Sequence, residues 1–212
     1  MKKSKVLLTL MCAVALVVTS VFGTLAYLQD AEKVVNTFTV GNVQIKLDEK
    51  DITKTDGTRT EEGNDYHLLP GHVYDKDPTV TVLEDSENSY VRMLVTVDYK
   101  AAADEILEKY EYLDWFDFNA NWTVNGAPVT ERYTQDEVEM IKRTYEFRYN
   151  TIVAKAEADT ELPALFTQIE MPGEITNEEL ATIAGLQIDV VAQAIQADGF
   201  ANVDAAWAAF AQ

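Results

Sequence analysis

The chain of 212 residues has a single cysteine, Cys12, and two histidines, His67 and His72. One thiol cannot form an intramolecular disulfide, so stability has to come from the core rather than from disulfide staples. Positive charge is scarce too: 17 Lys and Arg stand against 36 Asp and Glu, for a net charge of −19. A polyanion of that strength repels nucleic acid and anionic lipid, and neither is expected as a partner. Glycine (9) and proline (5) are too few for a low-complexity or collagen-like chain. What remains is one packed domain.

There is one long apolar run, Val6 to Val18, and it follows Lys2, Lys3 and Lys5. Small residues, Thr24 and Ala26, stand three positions and one position before Tyr27, the pattern of an export signal cut between Ala26 and Tyr27. The alternative is an uncleaved anchor, since apolar residues continue to Phe22 and nearly reach spanning length. The charged start, short core and small exit residues favour cleavage. The expected organisation is a signal peptide over 1–26 and a single secreted domain over 27–212, touching a membrane only through the uncleaved leader. Cys12 lies inside that leader, preceded by Met11, a poor context for lipidation.

Within the domain, period-2 alternation dominates. Phe38 and Val40, then Val43, Ile45 and Leu47, change parity across Gly41-Asn42, which predicts a bulged first strand. Residues 48–65 carry no apolar periodicity and are expected as a mobile surface loop. Leu69-Pro70-Gly71 predicts a type II turn. Thr79 to Leu83 and Tyr90 to Tyr99 read as a hairpin, and Lys142 to Val153 as a long central strand. Residues 100–141 are expected as a helical and aromatic insert: an amphipathic helix over Ala101–Leu113, a knot of Trp115, Phe116 and Phe118, a tight hairpin on Asn125-Gly126, and a short helix over Gln135–Ile141. Thr176 with Glu179 has capping-box spacing; Leu186 to Ala194 alternates as a strand; Asn202 can cap a final helix presenting Val203, Trp207 and Phe210. The fold class implied is mainly β, an antiparallel β-sandwich with two or three short helices inserted or appended.

Catalytic chemistry finds little to use, and no catalytic residue is assigned. His67 and His72 are five apart around a Pro-Gly turn with no glutamate between them, unlike the helical His pair of a zinc protease. They are weak metal candidates only. Asp56-Gly57 lacks the aspartate ladder of a calcium loop; structural calcium bridging acidic faces is the one cofactor role left. Trp115, Phe116 and Trp122 are candidate binding aromatics, though such clusters more often belong to a core.

The run Gly23-Thr24-Leu25-Ala26-Tyr27-Leu28-Gln29-Asp30, followed by Asn36-Thr37-Phe38-Thr39-Val40-Gly41-Asn42-Val43, resembles the TasA and camelysin family of Gram-positive exported proteins. Leu69-Pro70-Gly71 leading to Tyr90-Val91-Arg92, and Leu165-Phe166-Thr167 leading to Ala192–Gln196 and Ala206-Trp207, resemble the same group in the same order. The resemblance implies a jelly roll, a SipW-type signal peptidase, and a structural protein of the cell surface or biofilm matrix that forms fibres with itself and with related matrix proteins. Fibre growth in such proteins donates the N-terminal strand to the next subunit. Here that strand would lie between Tyr27 and Leu47, with Asn36, Phe38, Val40, Gly41, Val43 and Ile45 as its assembly residues. The resemblance also raises a camelysin-like metalloprotease, and the aromatics a monomeric adhesin or carbohydrate-binding module.

Overall fold

Strict alternation over Ser89–Lys100 builds a twelve-residue strand, β7, and the molecule is arranged around it. Val91, Met93, Val95, Val97 and Tyr99 are each at most 1% exposed, while Arg92, Leu94 and Thr96 between them face the other side. The computed structural model describes residues 29–33, 36–40 and 42–210, and of 29–40 the backbone alone. The described strands are β1 (Gln29–Lys33), β2 (Asn36–Val40), β3 (Ile45–Lys50), β4 (Arg59–Thr60), β5 (Val73–Asp75), β6 (Thr79–Val82), β7, β8 (Trp122–Val124), β9 (Val129–Gln135), β10 (Val138–Tyr149), β11 (Thr160–Glu161), β12 (Gln168–Glu170) and β13 (Gln187–Gln196). The helices are α1 (Asp104–Lys109), α2 (Asn177–Ile183) and α3 (Val203–Phe210).

The long sheet runs β2-β1-β13-β7-β10, with β8 and β9 end to end on the far side of β10; a second sheet runs β11-β6-β3-β4, and β5 pairs β12. All pairings are antiparallel. Ile45, Leu47, Val80 and Val82 of the second sheet share one core with Met93, Val95, Ile141, Phe147 and Ala192 of the first. The protein is therefore a mainly β, antiparallel sandwich with three short helices.

Several local expectations are corrected. No bulge joins Phe38 to Leu47: β2 ends at Val40 in the long sheet and β3 begins at Ile45 in the other, so the parity change marks a crossing between layers. Likewise β6 and β7 do not form a hairpin. They belong to different sheets, and the polar turn after Val82 carries the chain from one to the other. Residues 48–65, expected as a mobile loop, begin as the buried end of β3 and contain β4, which pairs Glu49 and Lys50. In 100–141 the helical part ends near Trp115. Asn125-Gly126 makes no hairpin, because β8 and β9 both pair with β10 rather than with each other. The predicted helix over 135–141 is instead the turn of the β9–β10 hairpin, with Asp136 (φ 49°) and Glu137 (φ 65°) both left-handed.

Other expectations hold. His72 N–H bonds Leu69 carbonyl across the Pro70-Gly71 turn, and Gly71 takes φ +66°. Thr176 and Glu179 cap α2 reciprocally. Asn202 Oδ1 accepts the Ala205 N–H at the start of α3, whose Val203, Trp207 and Phe210 pack with Ile195 on the outer face of the long sheet.

Candidate functional site

The sheet edge formed by the N-terminal strands is the site to which the sequence points. β1 pairs β13 from Lys33 opposite Val191 to Gln29 opposite Ile195, and β2 folds back on β1 from Asn36 opposite Lys33 to Val40 opposite Gln29. The seat on β13 turns Val190, Ala192 and Ala194 inward, at most 4% exposed. Among the described residues no strand pairs with the outer edge of β2, and an unpaired edge is a template for strand addition.

The proposed assembly residues divide. Asn36, Phe38 and Val40 belong to β2 at this edge. Gly41 lies outside the described residues, as do the signal-cleavage residues Thr24, Ala26 and Tyr27. Val43 and Ile45 are corrected: they are core residues, 0% and 1% exposed, and Ile45 pairs Val82 in the second sheet.

The opposite edge is built differently. β9 is exposed along almost its whole length and carries Glu131 and Arg132, charges that blunt an edge against indiscriminate pairing. Tyr133 folds back to donate its hydroxyl to both carboxylate oxygens of Asp98 (2.9 and 2.7 Å), and this hydrogen bond raises the Tyr133 pKa.

The remaining candidates fall apart as sites. His67 and His72 are exposed. The His72 ring packs edge-on against Tyr74 with centroids 4.6 Å apart, and the Tyr74 hydroxyl donates to the His67 carbonyl at 2.6 Å. Both histidines serve the turn. Among the described residues no group of three or more His, Cys, Asp or Glu side chains is arranged to hold a metal. Trp115, Phe116 and Trp122 are 6%, 7% and 5% exposed. Trp115 Nε1 donates to the Tyr110 carbonyl and Trp122 Nε1 to the Pro163 carbonyl, so these rings are walls of the core and offer no stacking face. The same layer holds Tyr112, hydrogen-bonded through its hydroxyl to Tyr145, its pKa pushed up by burial and by that partner.

Sequence reading missed a charged corner at the end of β3. Asp48 and Glu49 are 6% and 2% exposed. Arg59 Nε donates to Asp48 at 2.5 Å and Arg59 Nη1 to Asp77 at 2.9 Å. Burial alone would lower the Arg59 pKa, but these two carboxylates outweigh it and raise it. Glu49 lies deeper: its Oε2 accepts from Lys76 Nζ, and its Oε1 accepts from Asn64 Nδ2 at 2.8 Å. Tyr66 stands close by, its pKa raised by burial and then by the charge of Glu49. Between this corner and β13 lies a cavity of about 80 Å³ bordered by Leu47, Glu49, Lys76, Ile188 and Val190. One sequence signal existed. Val43, Ile45, Leu47 and Glu49 share a parity, which places a carboxylate in register with the core.

No family model matches the chain, and no significant match was found among curated proteins or among solved structures. No helix among the described residues is long and apolar enough to cross a membrane.

Proposed function

We propose that the chain is an exported structural protein of the cell surface or biofilm matrix, a non-enzymatic subunit that assembles with copies of itself through its N-terminal strand. The observation that carries the reading is the position of β1 and β2. They form the outermost pair of the long sheet, held on one side to β13 and, among the described residues, unpaired on the other. A strand at such an edge can be supplied by its own chain or by a neighbour with the same backbone hydrogen bonds. The resemblance to TasA and camelysin proteins supports this assignment and adds a jelly-roll topology, a SipW-type peptidase and export as the finer expectations. In this reading the donated segment ends before Gly41, since Val43 and Ile45 belong with β3 and the other sheet.

The test is negative-stain microscopy and sedimentation of protein beginning at Tyr27, with and without calcium, beside protein lacking the first dozen residues of that form. The full form is expected to give ordered fibres and the truncated form a folded monomer. Fibres of normal appearance from the truncated protein would sink the mechanism. Calcium dependence of the fibres would assign the acidic surface a bridging role.

A further inference from the structure

Lysine is rarely buried, and a buried carboxylate–ammonium pair is seldom worth its desolvation for stability alone. Lys76 is 7% exposed and Glu49 2%, so the pair invites a chemical explanation. A third group completes it. Asn64 places its carboxamide nitrogen on the second oxygen of the same carboxylate, at 2.8 Å, while Lys76 Nζ occupies the first. A primary amine and a primary carboxamide thus share one buried carboxyl group.

We propose that Lys76 and Asn64 become joined by an intramolecular isopeptide bond, with Glu49 carrying the protons. Glu49, hydrogen-bonded to Lys76 Nζ, takes one proton from it and leaves a nucleophilic amine. Its nitrogen then attacks Cγ of Asn64. Negative charge developing on Asn64 Oδ1 meets the Ile52 N–H, which already donates to that oxygen at 3.0 Å. Glu49 gives its proton to Nδ2 and takes one from the attacking nitrogen. The old C–N bond breaks, ammonia leaves, and the new amide keeps one hydrogen while Glu49 ends as a carboxylic acid. Amine plus carboxamide gives amide plus ammonia, with nothing oxidised or reduced. Glu49 is the catalytic residue in this scheme because it touches both reacting nitrogens; Ile52 N–H positions and polarises the carbonyl. The adjoining cavity of about 80 Å³, bordered by Glu49 and Lys76, receives the ammonia. The bond would close residues 64–76 into a ring holding the Pro70-Gly71 turn and β5, a covalent staple in a chain whose single cysteine permits no internal disulfide.

This proposal is independent of the assembly reading and is tested by mass spectrometry of the purified, folded wild-type protein. After denaturation and digestion, the peptide containing Asn64 and Lys76 is expected to lack the mass of one ammonia, and Lys76 to resist both trypsin and acetylation. Glu49→Gln, of the same shape, is expected to leave the full mass and a reactive Lys76. A wild-type peptide of full mass would overturn the proposal. So would loss of ammonia with Lys76 still open to acetylation, which marks a succinimide at Asn64-Asp65 instead. A linked Glu49→Gln protein would overturn the proton-carrying role of Glu49.

Discussion

The inner and outer faces of the long sheet are made by the same strands and held by different forces. Inward, Met93, Val95, Ile141, Phe147 and Ala192 meet the second sheet in one apolar core. Outward, Arg92 lies opposite Gln193 and Arg148, its Nε donating to Gln193 at 2.7 Å and its Nη1 to Glu146 at 3.2 Å. The Arg92 guanidinium also stacks 4.2 Å from the Trp207 ring centroid, under α3. Thr96 and Thr144 hydrogen-bond across the middle of that face, and Asp98 holds Lys142 and Tyr133 at its far end. The difference teaches that alternation assigns a side chain to a layer, whereas the neighbours in that layer decide how much its removal costs. The charged corner is the exception that sharpens the point, because Glu49 shares the inward parity of Ile45 and Leu47 yet is buried against Lys76 and Asn64.

The largest effect is expected there. Glu49→Ala removes the buried carboxyl group that both Lys76 and Asn64 contact, and with it the proposed bond between them, and should cost about 3–5 kcal/mol, measured as a lowered denaturant midpoint. A loss as small as that of an exposed ion pair would mean that the corner is hydrated and belongs with the outer face. Met93→Ala, at a residue 0% exposed in the central strand, should cost roughly 2–5 kcal/mol by the same assay. Arg92→Ala removes hydrogen bonds and a stacked cation under α3, with an expected cost of about 1–3 kcal/mol. Equal losses for Met93→Ala and Arg92→Ala would erase the distinction between the faces.

The smallest effect depends on pH. Lys109 Nζ, and then the N–H and hydroxyl of Thr176, hold the Glu179 carboxyl down at about 2, from an ordinary 4.5. A depressed folded pKa gives stability that is present above the ordinary value and is lost as pH falls through the folded one. Wild-type protein should therefore lose slightly more stability than Glu179→Gln between pH 4.5 and about 2, read from melting curves across that range. Identical acid profiles would show that the surface contact between α1 and α2 contributes nothing.

Much of this fold is legible locally. The alternation of β7, β10 and β13, the Leu69-Pro70-Gly71 turn, the Thr176 capping box and the Asn202 cap each follow from a few residues and their spacing. Pairing is legible only in part. Asp136-Glu137 makes a hairpin turn with two left-handed residues that are not the usual Asn-Gly pair, while the genuine Asn125-Gly126 merely links two short strands along β10. The candidate edge is visible as a strand signal at Asn36–Val40, but nothing local distinguishes it from Val43 and Ile45 just after it. Whether Trp115 and Trp122 stack on a ligand or fill a core is likewise silent in a sequence, since composition does not say which carbonyl an indole N–H will reach.

The sequence by itself determined which segments extend, which residues share a face, where turns and caps fall, and that no internal disulfide is available. These follow from backbone sterics, side-chain periodicity and residue count, all of which act within a few positions. The tertiary structure alone decided that β6 and β7 lie in different sheets, that β1 and β2 close one edge of the long sheet, and that Glu49, Asn64 and Lys76 converge. Those outcomes depend on how two apolar faces cover each other. That choice is made by the whole core at once, and no single stretch of chain encodes it.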